Sequence, residues 1–337
     1  MYVDDDGSLT AAEAARMLGV TPATLYAYVS RGLIRSERGA GRACRYAVAD
    51  VAALKRGGLP SGPVISTAIT LVRGGRVYFR GRDAVELAQT LSVREAAALI
   101  WDCDPVASFA SDNVPDPPPD SDALHGALAG APPVARMLAL LQVMTAAEPR
   151  WPQATAESFG YAGARLVRFL VAAAAGSTPS ARPIEAVLAE AWGLGRETRP
   201  LLRAGFILSA DNGIDAAALA TRAASAAGLP PWRSVAVGLA VLDFDSDHAA
   251  DTRAGALMAL LPQRSLAPRT LPQAVAKLGA ALEFPAGGAA ALYVIGRAIG
   301  LMAHVAEERV AKRACRGRGA YVGLPPAIGT SPQSSRG

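Results

Sequence analysis

The stretch LSADNGIDAAALA (residues 208–220) sets Asp211, Asn212 and Asp215 inside a run of small apolar residues. Such a cluster serves either as the polar lining of a ligand site or as the capped start of a helix with Asp211 as the cap. Arginines elsewhere offer the complementary charge. Arg297 lies mid-helix in LYVIGRAIGLMAHVAEE, among Val294, Ile295, Ile299 and Leu301. Burying a guanidinium without a partner costs several kcal/mol, so Arg297 requires an anion. That anion is an internal carboxylate, for example Glu307 or Glu308, or an organic acid gripped by the planar fork. Arg316 and Arg318 follow in CRGRGAYVG. The three histidines differ in setting. His125 follows a proline-rich stretch and is expected to be exposed and inert. His304 shares an apolar helix face with Arg297 and is expected to be packed and hydrogen-bonded. His248 sits in DFDSDHAADTRAG, beside Asp243, Asp245, Asp247 and Asp251. Carboxylate oxygens suit a hard divalent ion, but the irregular spacing within one loop makes no ligand set, so no metal is expected.

These groups need a scaffold, and composition bounds it. The 337 residues are 51% hydrophobic and 19% charged, which excludes wholesale disorder and allows a large core. Abundant alanine with few aromatics favours helix packed closely on helix. A net charge of +5 does not by itself demand nucleic acid. Cys44, Cys103 and Cys315 form no CxxC pair, so neither a disulfide framework nor a thiolate metal site is implied. GxGxxG, Walker A, HExxH and GxSxG motifs are absent, which removes the common nucleotide, zinc-protease and serine-hydrolase readings. The opening MYVDDDGSL has no apolar core, and the most apolar stretch, GGAAALYVIGRAIGLMAH, is split by Arg297. A cytoplasmic protein without a membrane partner is expected.

Residues 1–57 read as a separate unit. Thr10 and Glu13 have capping-box spacing before an apolar face of Ala11, Ala14, Ala15 and Leu18, and Gly19 stops that helix. Thr21-Pro22 starts a second helix ending at Gly32. A short basic hairpin follows, then a helix opened by Asp50. Helix, turn, helix, basic wing, helix is a winged helix-turn-helix pattern. LTAAEAARMLGVTPATLYAYVSRGLI and GRACRYAVADV resemble the MerR and excisionase type of DNA-binding domain. On that resemblance Thr24, Tyr26, Tyr28 and Arg31 face a major groove. Arg35, Arg38, Arg42 and Arg45 reach phosphates, or else form a solvated wing. Residues 58–63 read as a linker, and AITLVRGGRVYFRGRD as a β-hairpin turning at Gly74-Gly75. Helical periodicity runs on from Ala84, interrupted by an exposed loop over 110–122. The last residues, 327–337, read as a disordered tail.

Residues 64–326 resemble citrate synthase, in a bacterial branch that carries an N-terminal helix-turn-helix. The opening hairpin with its YRG element, ILSADNGIDAAALATRAASAAG against the family's ADHxxNAS segment, and LYVIGRAIGLMAHVAEE…RGRGAYVG against GRxxGWIAHxxEQ…RPRxxY occur in the family's order. The resemblance implies a mainly α fold, with a large helical domain and a reduced small one, and a homodimer with composite active sites. The implied reaction condenses acetyl-CoA with oxaloacetate. An aspartate removes the methyl proton, histidines stabilise the enol and bind the ketone, and arginines hold the carboxylates.

Carried over by position, Arg297 matches the arginine of GRxxGW and Arg316 the first of RPR. Arg253, in DTRAGALMALLP, matches the arginine of DPRAxxLLALLP. Asn212 stands at the ketone-binding histidine, His248 is the sole candidate enol histidine, and Pro272 falls at the place of the aspartate base. The segment between Gly238 and Pro285 is also shorter than the family's. The sequence therefore points to a di- or tricarboxylate ligand held by Arg253, Arg297, Arg316 and Asn212, with the condensation chemistry reduced or lost. Acetyl-CoA would enter only as a co-substrate, and no cofactor is bound. Two alternatives stand beside this reading. One is an active, diverged citrate or 2-methylcitrate synthase whose base is Asp243, Asp245, Asp247 or Asp251. The other is a carboxylate-sensing DNA-binding regulator.

Overall fold

The computed structural model describes residues 8–30, 34, 36–38, 44–55, 65–73, 75–118, 120–146, 155–242, 252–261 and 268–310. The linker over 58–63, the tail over 327–337, and Arg31, Arg35, Arg42, His248 and Arg316 lie outside them. The chain divides into two compact units, residues 1–65 with 316–337 and residues 66–315.

In the first unit, β1 (Ser8–Thr10) leads into α1 (Ala11–Leu18). Thr10 accepts from the Glu13 N–H, the Glu13 carboxylate accepts from the Thr10 N–H, and Gly19 closes the helix at φ 69°. These are the capping box and glycine stop that the sequence predicts. Next come α2 (Pro22–Ser30), β2 (Ser36–Arg38), β3 (Cys44–Ala47) and α3 (Val48–Lys55). The strands pair antiparallel in the order β1-β3-β2. Asp50 does not open α3; the helix begins two residues earlier, directly off the strand. Leu9, Leu25, Ile34, Tyr46 and Val51 form a small core, and Tyr28 packs against it. Tyr28 is thus partly committed to holding α2, whereas Tyr26 stands 55% exposed. Arg45 pairs in register with Thr10 and Glu37 on β3.

The second unit opens with the predicted hairpin, β4 (Thr70–Arg73) and β5 (Arg76–Phe79). Arg73 pairs with Arg76, and Gly75 adopts φ 76°, the left-handed backbone that a two-residue turn needs. A short β6 (Arg82–Asp83) leads to α4 (Ala84–Thr90) and α5 (Val93–Trp101). Further along are α6 (Pro105–Ser108), α7 (Ser121–Ala127), α8 (Pro133–Ala146), α9 (Ala156–Ala175) and α10 (Ile184–Ala191). The last are α11 (Arg199–Leu208), α12 (Ala216–Ala226), α13 (Pro231–Ala240), α14 (Thr252–Ala259), α15 (Leu271–Ala281) and α16 (Gly288–Val310).

Helix α16 is the axis, packed by α9, α11, α12, α13 and α15. By length and composition it would cross a membrane, but 89% of its most apolar stretch is buried inside the fold. It is a core helix.

Two expectations fail around the proline-rich segment. The stretch 110–122 is not wholly exposed: Asn113 and Pro118 are buried, and Ser121 already starts α7. The buried Arg168 on α9 donates to the carbonyls of Phe109, Ala110 and Asn113, which anchors the loop from below. His125 is half-buried, lining a small void with Pro117, Pro118, Leu140 and Phe169. Prolines supply this loop with apolar surface as well as rigidity, so part of it packs inward.

Candidate functional site

The polar centre of the second unit is built where the α11–α12 connection crosses α16. Gly296 and Gly300 bracket Arg297 on α16. A Cβ at Gly296 would sit 2.8 Å from the Phe206 carbonyl oxygen, and one at Gly300 would run into the Ala210 carbonyl oxygen. The two missing side chains let residues 206–211 lie directly on the helix. Gly300 N–H then donates to the Ala210 carbonyl at 3.1 Å, and Trp101 Nε1 donates to the Ile299 carbonyl at 2.9 Å.

That close approach puts Asp211 over Arg297 and His304, all three without solvent exposure. Asp211 Oδ1 lies 3.2 Å from Arg297 Nη1 and 3.2 Å from His304 Nε2. Its Oδ2 accepts from the Thr70 hydroxyl at 2.6 Å and from Gly213 N–H at 2.9 Å. Burial alone would raise the Asp211 pKa. The His304 imidazole, the Arg297 guanidinium and the Thr70 hydroxyl more than offset it, holding the carboxyl below the usual range. Arg222 Nη1 lies 3.1 Å from His304 Nδ1. A guanidinium only donates, so Nδ1 is the acceptor and the ring proton sits on Nε2, facing Asp211. The expected packed, hydrogen-bonded His304 is what the structure contains.

Arg297 does have its anion, but not the one the sequence suggests. Its Nη2 meets Asp215 Oδ2 at 2.7 Å, in addition to the bond with Asp211. Burial pulls its pKa down while Asp215 and Asp211 raise it, with a net increase, so the group stays charged. Glu307 and Glu308 belong to Arg222 instead, at 2.7 and 3.2 Å. They lie about three turns further along α16, beyond the reach of the Arg297 side chain. Glu307 also accepts from the Ala68 N–H at 2.7 Å, and so ties the chain just before β4 to the end of α16.

Arg253 reaches the same connection from α14. Its Nη1 donates to the carbonyls of Leu208 (2.8 Å) and Asp211 (2.6 Å), and its Nη2 donates to Asn212 Oδ1 at 2.8 Å. The other end of that amide, Nδ2, donates to Tyr293 Oη at 2.9 Å. The structure therefore brings Arg253, Arg297 and Asn212 together around residues 208–215. The helix cap is Asp215, whose Oδ1 accepts from Ala218 N–H at 2.8 Å; Asp211 is the buried hub rather than the cap. Pro272, in the first turn of α15, carries no group that can accept a proton.

Sequence reasoning missed Thr70, Tyr293 and Arg222. Arg222 gives the same signal as Arg297, an arginine inside an alanine-rich helix. Thr70 and Tyr293 give none, because their roles depend on contacts far along the chain. A cleft of about 580 Å³ lined by Pro200, Leu201, Arg203, Leu260 and Leu282 contains none of the predicted residues. Among the described residues no group of histidine, cysteine and acidic side chains has the arrangement of a metal site.

The family profile of the citrate synthase C-terminal domain matches residues 58–278, about two thirds of the chain. The chain belongs to the citrate synthase family. Residues 8–59 match a helix-turn-helix domain. Among solved structures, citrate synthase from Thermotoga maritima MSB8 superposes with a TM-score of 0.61 at 17% identity, covering 82% of this chain and 97% of that one. Citrate synthase from Pyrobaculum aerophilum gives 0.60 at 17%, over 81% and 93%. The ternary complex of the Thermoplasma acidophilum citrate synthase with carboxymethyl coenzyme A and oxaloacetate gives 0.54 at 15%, over 81% and 97%. At these identities the likeness is one of fold. A search of curated protein sequences gave no match.

Proposed function

We propose that this member of the citrate synthase family binds a di- or tricarboxylate, such as oxaloacetate or citrate, and does not condense it with an acyl-CoA at an ordinary enzymatic rate. The observation that carries the reading is the convergence of Arg253 from α14 and Arg297 from α16 on one turn, both buried. Two guanidinium forks aimed at one place suit recognition of an organic acid. The chemistry beside them is depleted. Asn212 is held at both ends by Arg253 and Tyr293, and neither it nor Pro272 has a titratable group with which to take a proton from carbon. His304, the histidine described at this centre, is fully buried and bonded on both ring nitrogens. Losing the base removes a contribution of about 100- to 10,000-fold to such a proton transfer.

The test has two arms. Thiol release from acetyl-CoA with oxaloacetate is expected to stay at background, and turnover of an ordinary enzyme would refute the non-condensing reading. Citrate or oxaloacetate is expected to raise the melting temperature in proportion to its concentration over Kd. No rise with either acid would refute the binding reading.

A second reading is favoured by the helix-turn-helix match over residues 8–59: the first unit binds DNA and the carboxylate modulates that binding. It places Thr24, Tyr26, Tyr28 and Arg31 at the groove and Arg35, Arg38, Arg42 and Arg45 at phosphates. A homodimer, the usual arrangement in the citrate synthase family, would present two such units to a repeated site.

A further inference from the structure

We propose that Asp215 is a resident substitute for one ligand carboxylate: it occupies Arg297 until a dicarboxylate displaces it, and so sets the affinity of the site. The inference rests on the carboxylate-binding reading above and names the residue that controls it.

The two carboxylates on Arg297 are not equivalent. Asp211 is completely buried and is held by Thr70, Gly213, His304 and Arg297 together. It cannot leave without stranding four partners. Asp215 makes the shorter bond to the guanidinium, 2.7 Å against 3.2 Å, yet its side chain is 20% exposed. Among the described residues, its side chain is held, apart from Arg297, by a cap bond from Ala218 N–H. It is therefore the carboxylate on the solvent side, and the one a ligand entering from solvent meets first.

Electrostatics then decides what enters. With Asp211 and Asp215 in place, the Arg297 charge already faces two anions. A dicarboxylate brought beside it would set a third carboxylate within a few ångströms of Asp215, and like charges that close disfavour one another strongly. Binding must move Asp215 aside, which also removes the N-cap of α12. The cap bond is a modest contribution, and the incoming carboxylate takes over the pairing with buried Arg297 that Asp215 gives up, so the guanidinium is never left without an anion. Displacement is thus within reach of ligand binding, and it makes the first turn of α12 report on occupancy.

The decisive variant is Asp215→Asn. Asparagine is as good an N-cap as aspartate and has the same shape, so only the charge is lost. Titrated calorimetrically, Asp215→Asn is expected to bind citrate or oxaloacetate about tenfold tighter than the wild type or better, as expected for relief of one like-charge contact. Asp215→Ser, which also caps, should shift affinity in the same direction and serves if the asparagine variant folds poorly. In the wild-type protein, saturation with citrate should increase hydrogen exchange at the Ala218 amide as its cap leaves. If the wild type binds but the variants bind no tighter, and Ala218 is unaffected, Asp215 is only a structural ion-pair partner and the proposal is overturned. If neither wild type nor variant binds either acid, the carboxylate-binding reading falls, and this inference with it.

Discussion

At the residue scale, the centre of the molecule is an accounting of buried charge. Arg297 is fully buried and paired with Asp211 and Asp215, so removing it leaves Asp211 ionised in a dry environment with part of its compensation gone. Arg297→Ala is expected to cost about 3–5 kcal/mol in denaturant unfolding, the usual result of breaking a buried pair from one side. A loss below about 1 kcal/mol would mean that the network carries little stability. The same network fixes the response to acid. The folded-state pKa values of Asp211 and Glu307 are both depressed, by bonds that outweigh the opposing effect of burial. Their contribution is therefore fully present above their unfolded values near about 4, and is lost as pH falls further toward the folded values. Unfolding free energy measured between pH 7 and 3 should hold at the neutral end and drop steeply below about pH 4–5, with a smaller drop in Asp211→Asn.

At the element scale, the site exists because α16 lacks side chains where the chain crosses it. Gly300→Ala would force its Cβ against the Ala210 carbonyl, which cannot move without shifting Asp211. The expected cost is about 1–3 kcal/mol or more, as for overpacking in a rigid core. Gly126 in α7 is the control. Its Cβ position is open and its backbone is not left-handed, so Gly126→Ala should stabilise by about 0.5–1 kcal/mol. Thermal unfolding of the two variants should move in opposite directions. If Gly300→Ala melted like the wild type, the α11–α12 connection would not depend on this close approach. Glu307 works on the other side of the centre, where it ties Ala68 and Arg222 together and keeps the chain before β4 beside Asp211 through Thr70.

At the scale of the whole molecule, two units with separate cores suggest two activities on one chain. If the first unit contacts DNA through its wing, affinity for duplex should fall linearly on logarithmic axes as salt rises. Arg42→Ala should flatten that slope by about one counterion without changing sequence preference. Fluorescence anisotropy over a salt series measures it. An unchanged slope in Arg42→Ala, and in Arg38→Ala beside it, would mean that these side chains do not touch phosphate.

Much of this was legible in the sequence because it is local. Thr10 with Glu13, the turn at Gly75 and the alanine-rich helical periodicity each depend on residues within a few positions. The alternation around Gly75 needed only the backbone freedom of glycine. The meeting of Arg253 and Arg297 at residues 208–215 followed from resemblance, since spacing alone says nothing about where distant helices cross. Which carboxylate answers which guanidinium was decided only by the tertiary structure. Glu307 and Glu308 are nearer to Arg297 in sequence, but helical rise carries them out of reach, and the bare α16 surface at Gly296 and Gly300 brings Asp211 and Asp215 in instead. Pairing of buried charges is set by distances of a few ångströms, and those distances are fixed by how helices pack.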